Sequence, residues 1–196
     1  MKKIGFIGAG NMGLMAAVSD AALAAGGKVT GVIPHFMVEQ NWHHTGLSEL
    51  IEVNTMHERK QKMAALSDAV IALPGGCGTL EELLEIITWK QLGLYLNPIV
   101  ILNVKGYYNP LLEMFARAAE EHFMGVRHMD IWRVANTPEE AITQIQTTPI
   151  WDVSIRKFAA LCYFRHCSRL YPSQNKASPC PICQDVTIPS RCYCYA

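Results

Sequence analysis

The sequence predicts a Rossmann-like doubly wound α/β fold, a parallel sheet with helices on both faces. Three observations predict it. Short, wholly apolar runs of strand length alternate with helical segments of about a dozen residues. Glycine clusters close two of these runs and lead into helices, at Gly8-Ala9-Gly10 and at Pro74-Gly75-Gly76. The chain has 196 residues, half of them hydrophobic, which suits one domain with a sizeable core.

Residues 3–7 form the first apolar strand, and an Ala-rich helix over 14–25 follows until Gly26-Gly27 stops it. A second strand spans 29–33, broken by Pro34, and a third spans 49–53. Residues 56–66 are helical, with Glu58, Arg59 and Lys60 near the start. The run 69–73 is a buried strand closed by Pro74-Gly75-Gly76, and a helix over 79–92 ends at Gly93. Residues 99–102 form another buried strand, 110–122 a helix, and 131–134 a short strand. Thr137 caps a last helix over 138–146, with Pro138 at its first position and Glu139-Glu140 near its positive end. Periodicity fails from about Cys162, so residues 1–160 read as the folded domain and 161–196 as an irregular tail.

Charge excludes some functions. Lys plus Arg and Asp plus Glu number 17 each, so no global field draws the chain to nucleic acid or to an anionic membrane. An anionic ligand has to be held by local groups. No signal peptide is visible and no apolar run has the length to cross a bilayer, so a cytoplasmic protein is the expectation. Six of the seven cysteines lie in the last 35 residues, and a body with Cys77 alone fits a reducing compartment.

The segment 74–82 carries the most chemistry. A strand that turns sharply at Pro-Gly-Gly and enters a helix points backbone N–H groups into a crevice, where the helix dipole favours a phosphate. Gly75, Gly76 and Gly78 let the backbone approach such a ligand and adopt positive φ. Thr79 can cap the helix or donate to a phosphate oxygen. With a helix starting at Thr79, Glu81 and Glu82 fall in its first turn. There they stabilise the helix, and a carboxylate beside a phosphate pocket also suits glycosidic cleavage, where positive charge develops on a ribose.

Met56-His57-Glu58-Arg59-Lys60, the 74–82 loop, Thr88-Trp89-Lys90-Gln91-Leu92-Gly93, and Leu102-Asn103 with Gly106-Tyr107-Tyr108 resemble the LONELY GUY family. Its members are cytokinin-activating phosphoribohydrolases, often mislabelled lysine decarboxylases. The resemblance covers roughly residues 8–160. It implies hydrolysis of the N-glycosidic bond of a nucleoside 5′-monophosphate, giving free base and ribose 5-phosphate. It also implies a homodimer, a small nucleotide as partner, and no cofactor or metal. By motif match, Arg59 and Glu82 fall on the catalytic pair, and Gly75, Gly76, Gly78 and Thr79 on the phosphate loop. Glu39, Lys60, Glu81 and Thr88 match nucleotide-contacting positions.

The chemistry is consistent with that match. A carboxylate near C1′ stabilises an oxocarbenium-like state or orients water. An Arg stays protonated, so Arg59 is better cast as a clamp on phosphate or ribose than as an acid. His57 could donate a proton to a departing base, though a surface role fits it better. Cys77 reads as pocket lining, and Tyr107 and Tyr108 as base-stacking or packing side chains.

Both ends depart from the family pattern. The family opens with a further strand and helix, and this chain starts at what would be the second strand. Gly8, Gly10 and Gly13 also complete a GxGxxG like that opening a pyrroline-5-carboxylate reductase. However, no acidic residue follows the strand over 29–33 to hold a ribose hydroxyl. A NAD(P)-dependent reductase and a non-catalytic nucleotide-binding protein are therefore the alternatives. In the tail, Cys180, Cys183, Cys192 and Cys194 have a spacing compatible with zinc, but no hydrophobic pattern surrounds them.

Overall fold

The computed structural model of the chain describes residues 2–8 and 13–152. Its elements are β1 (Ile4–Ile7), α1 (Leu14–Ala24), β2 (Thr30–Pro34), α2 (His35–Glu39), β3 (Glu49–Val53), α3 (Met56–Leu66) and β4 (Ala69–Ala72). Then follow α4 (Cys77–Leu92), β5 (Ile99–Leu102), α5 (Asn109–Glu120), β6 (Arg133–Ala135) and α6 (Pro138–Thr147). Single 3-10 turns at Val104–Gly106 and Val126–Asp130 flank α5. The tail cysteines and Ala9 to Met12 of the first glycine turn lie outside the described residues.

Four parallel strands pair in the order β1-β4-β5-β6. The central strands β4 and β5 are buried along their whole length. That is why their sequences, AVIA and IVIL, are continuous apolar runs with no alternation. Successive side chains feed opposite faces. Val70, Ala72, Ile99 and Ile101 join Leu83, Ile86 and Ile87 of α4 and Phe115 of α5 in one core. Ala69, Ile71, Val100 and Leu102 join Ala141 and Ile145 of α6 and Met15 and Val18 of α1 in the other. The expected parallel α/β architecture is therefore present, with helices on both faces.

The sheet is not continuous. β2 and β3 form a separate parallel pair, Thr30 opposite Glu49 through Pro34 opposite Val53. β1 is hydrogen-bonded to β4 throughout, and among the described residues no strand links it to β2. On β2 the Val32 carbonyl instead accepts from Arg59 Nε of α3, at 3.1 Å. A side chain thus satisfies a strand edge that a neighbouring strand would otherwise pair.

The helix starts follow from local sequence. Thr55 accepts from the Glu58 N–H at 3.1 Å, and Glu58 accepts from the Asn54 N–H at 2.8 Å. Thr137 and Glu140 repeat the arrangement at α6. These reciprocal bonds satisfy donors that a helix start leaves free. Gly93 ends α4 in the left-handed region, at φ 76°. The single turn α2 was not anticipated, because Pro34 reads as a strand breaker. In the structure Pro34 is the last residue of β2 and caps α2.

Candidate active site

The loop after β4 places α4 with its start toward solvent. Helix α4 begins at Cys77 with Gly76 as its cap, two residues before the start expected at Thr79. The first intrahelical bond runs from Leu80 N to Gly76 O at 3.0 Å. The N–H groups of Cys77, Gly78 and Thr79 therefore have no acceptor within the helix, which is the condition for holding an anion. Two sequence expectations are corrected here. Glu81 and Glu82 lie in the second turn, not the first, and Thr79 is a buried first-turn residue rather than the cap.

The loop glycines are needed for different reasons, and none of the three is among the positive-φ residues. A Cβ on Gly75 would meet Thr79 Oγ1 at 2.2 Å, so Gly75 is required for space. Around Gly76 and Gly78 a Cβ would meet nothing within 4 Å. Those two glycines leave the helix start open, which suits close approach by a ligand.

Two tyrosines brace the loop from below. The left-handed turn at Lys105 and Gly106, φ 53° and 72°, delivers Tyr107 and Tyr108 to it. Tyr107 donates to the Gly75 carbonyl at 2.8 Å and buried Tyr108 to the Leu73 carbonyl at 2.6 Å. The rings meet edge to face, with centroids 5.1 Å apart. Burial pushes the Tyr108 hydroxyl up to about 12, so it stays a donor. The sequence did not reveal this bracing role. Gly75, Leu80, Tyr107, Tyr108, Pro110, Leu111 and Met114 enclose a largely apolar hollow of about 360 Å³ on this side.

Across α4, the opposite face meets α3 through charges. Arg59 Nη1 donates to Glu82 Oε1 at 2.6 Å, and both side chains are mostly buried. Lys60 Nζ lies 2.5 Å from Glu81 Oε1 and 2.8 Å from Glu85 Oε2. His57 Nδ1 is 4.0 Å from Glu85 Oε1, and His57 Nε2 contacts Gln61 at 2.9 Å. Burial raises the pKa of Glu82 above the usual carboxylate value, and Arg59 offsets part of that rise. Burial also opposes the charge on Lys60, but its bonds to Glu81 and Glu85 together outweigh it and raise its pKa.

The structure thus brings Arg59, Lys60, Glu81 and Glu82 together between α3 and α4, the two glutamates in the second turn of the helix that the loop opens. Glu39 is at the exposed end of α2, its carboxylate 3.4 Å from His35, outside this cluster. Thr88 is exposed on α4, and its hydroxyl donates to the Leu84 carbonyl of its own helix at 2.8 Å. Glu85 was missed by the sequence reading. Its spacing of four from Glu81 puts both on one helix face and was the available signal. Among the described residues no group of His, Cys, Asp and Glu has a metal-binding arrangement, and no helix is long and apolar enough to cross a membrane.

A parallel α/β body, a glycine loop that opens into a helix start and a mostly buried Arg–Glu pair between two helices define the class, an α/β protein with a glycine-rich strand-to-helix loop. Residues 15–145 match the family described as possible lysine decarboxylase, and the chain belongs to that family. It is 47% identical over 139 residues to a probable cytokinin riboside 5′-monophosphate phosphoribohydrolase of Oryza sativa subsp. japonica, covering 71% of this chain and 57% of that one. A second such protein from the same plant is 45% identical, with 71% and 56% covered. A cytokinin riboside 5′-monophosphate phosphoribohydrolase of Arabidopsis thaliana is 43% identical over 151 residues, with 76% and 66% covered. The chain therefore spans rather more than half the length of these relatives. Their names agree with the resemblance read from the motifs.

Proposed function

We propose that the protein hydrolyses the N-glycosidic bond of a nucleoside 5′-monophosphate, a cytokinin riboside monophosphate or AMP, to free base and ribose 5-phosphate. The observation that carries this reading is the direct pairing of Arg59 with Glu82, in the second turn of the helix whose start is open. A phosphate alone would need the helix start and a cation. A buried carboxylate held next to them is what cleavage at a ribose adds.

In this reading the N–H groups of Cys77, Gly78 and Thr79 take the 5′-phosphate, with Gly76 and Gly78 leaving room for it. Tyr107 and Tyr108 keep the Gly75 and Leu73 carbonyls turned away from the anion by donating their hydroxyl protons to them. The C1′–N bond breaks and its electron pair leaves with the base, leaving positive charge on the ribose. Glu82, ionised, stabilises that charge and orients the water whose oxygen bonds to C1′. One water proton is lost and the departing nitrogen gains one, so the sum is addition of one water. Arg59 fixes the Glu82 carboxylate and contacts phosphate or ribose by charge-assisted bonds. Lys60, Glu81, Thr88 and Glu39 are proposed substrate contacts, Lys60 and Glu81 being the two in the cluster.

The names of the relatives support a cytokinin nucleotide as substrate. A cytoplasmic homodimer without a cofactor is the accompanying proposal. Incubation with AMP and with isopentenyladenosine monophosphate, followed by chromatography, tests the reading. Release of free base that Glu82→Gln abolishes supports it; intact nucleotide after incubation with folded protein rejects it.

A further inference from the structure

Five charged side chains meet between α3 and α4, two cations and three carboxylates. In such a setting a lysine could pair with any of the three. The arrangement is nevertheless sorted. Arg59 takes Glu82, and Lys60 is drawn to the other side by Glu81 and Glu85 together. Glu81 is more than half exposed, whereas the side chains of Glu85 and Lys60 retain 22% and 14% of their exposure. Solvent therefore screens the attraction of Glu85 for Lys60 less than that of Glu81. Lys60, Glu82 and Glu85 also line one narrow cleft of about 30 Å³ together with Gly5, Ile7 and Trp89.

We infer that Glu85 is a positioning residue of this site, holding the Lys60 ammonium away from Glu82 so that Glu82 pairs with Arg59 alone. The inference rests on the reading of Glu82 as the reacting carboxylate. A lysine paired directly with Glu82 would neutralise the charge that has to face the ribosyl cation. It would also compete with Arg59 for the same oxygen. The groups facing Glu82 are Arg59 and Lys60 from α3 and Glu81 from its own helix, with His57 reaching only Glu85. The cleft residues from β1 and β4 are Gly5, Ile7 and Val70, none of which titrates.

The test follows the Glu82 carboxyl by carbon NMR in glutamate-labelled protein, with Glu82→Gln identifying its signal. Glu85→Gln leaves Lys60 held by the exposed Glu81 alone, so its ammonium shifts toward Glu82 and the Glu82 titration moves to lower pH. Glu85→Asp, the milder variant, moves it the same way by less. In a Lys60→Met background Glu85→Gln has little effect, because it acts through Lys60. In base-release assays Glu85→Gln lowers kcat about tenfold and leaves KM within about twofold. An unmoved Glu82 titration, or one moved equally without Lys60, overturns the inference. A protein that releases no base refutes the reaction while leaving the titration result standing, so the two failures are distinguishable.

Discussion

Replacing Arg59 with Met removes the partner of a mostly buried carboxylate. Arg59 retains 21% and Glu82 11% of side-chain exposure. Removing one member of a fully buried pair costs about 3–5 kcal/mol. Partial exposure reduces this to about 2–3 kcal/mol. In a domain of this size that is a fall in Tm of about 4–12 °C. The cost is pH-dependent, and its sign follows from Glu82. Its folded pKa is already above the reference 4.5 because of burial, so between the unfolded and folded values, and only there, the native state keeps a proton that the unfolded chain releases. Stability contributed by this group is thus present at pH below the unfolded value and declines as pH rises through the folded one. Arg59 supplies the two effects that lower the Glu82 pKa most. Without it the folded value rises further and the decline extends to higher pH. Urea denaturation at about pH 7 should show the full loss, and at about pH 4 only about 1 kcal/mol, the lost bond to the Val32 carbonyl. Equal loss at both pH values would refute the reasoning.

Four further outcomes are expected. Gly75→Ala forces a Cβ against Thr79 and costs about 1–3 kcal/mol of stability. Gly76→Ala leaves the melting temperature of the free protein nearly unchanged but removes the stabilisation that added AMP confers, which differential scanning fluorimetry can separate. Tyr108→Phe leaves the Leu73 carbonyl without its 2.6 Å donor and costs about 1–3 kcal/mol in chemical denaturation. Burial lowers the pKa of Lys90 to about 8, with Arg133 adding to the effect, so stability should rise as pH rises from about 8 toward 10.5. Lys90→Met should abolish that rise, measured by urea denaturation across the same interval.

The parts of the fold legible in the sequence are those where one physical signal dominates. The runs at 49–53 and 99–102 and the helix at 56–66 have the bounds that composition and capping imply. Thr137 and Gly93 do at their helix ends what their residue types favour. The start of α4 was misplaced because Thr79 has the chemistry of a cap, while its actual place is set by packing against Gly75. The split between the two sheets depends on long-range strand pairing, which local periodicity does not encode. In the site, Arg59 and Glu82 were legible as a motif pair. Glu85 and the two tyrosines were not, because their partners, Lys60 and the loop carbonyls, are 25 to 35 positions away.

The central claim is that Glu82, held by Arg59 beside the loop, carries base release from a nucleotide. Parallel quantification of free base and ribose 5-phosphate from isopentenyladenosine monophosphate tests it most directly, using the unaltered protein, Glu82→Gln and Arg59→Met. The account predicts equal amounts of the two products from the unaltered protein, and a loss of about 10²-fold or more in both variants. Full activity in Glu82→Gln, or nucleotide left intact by the unaltered protein, would contradict it.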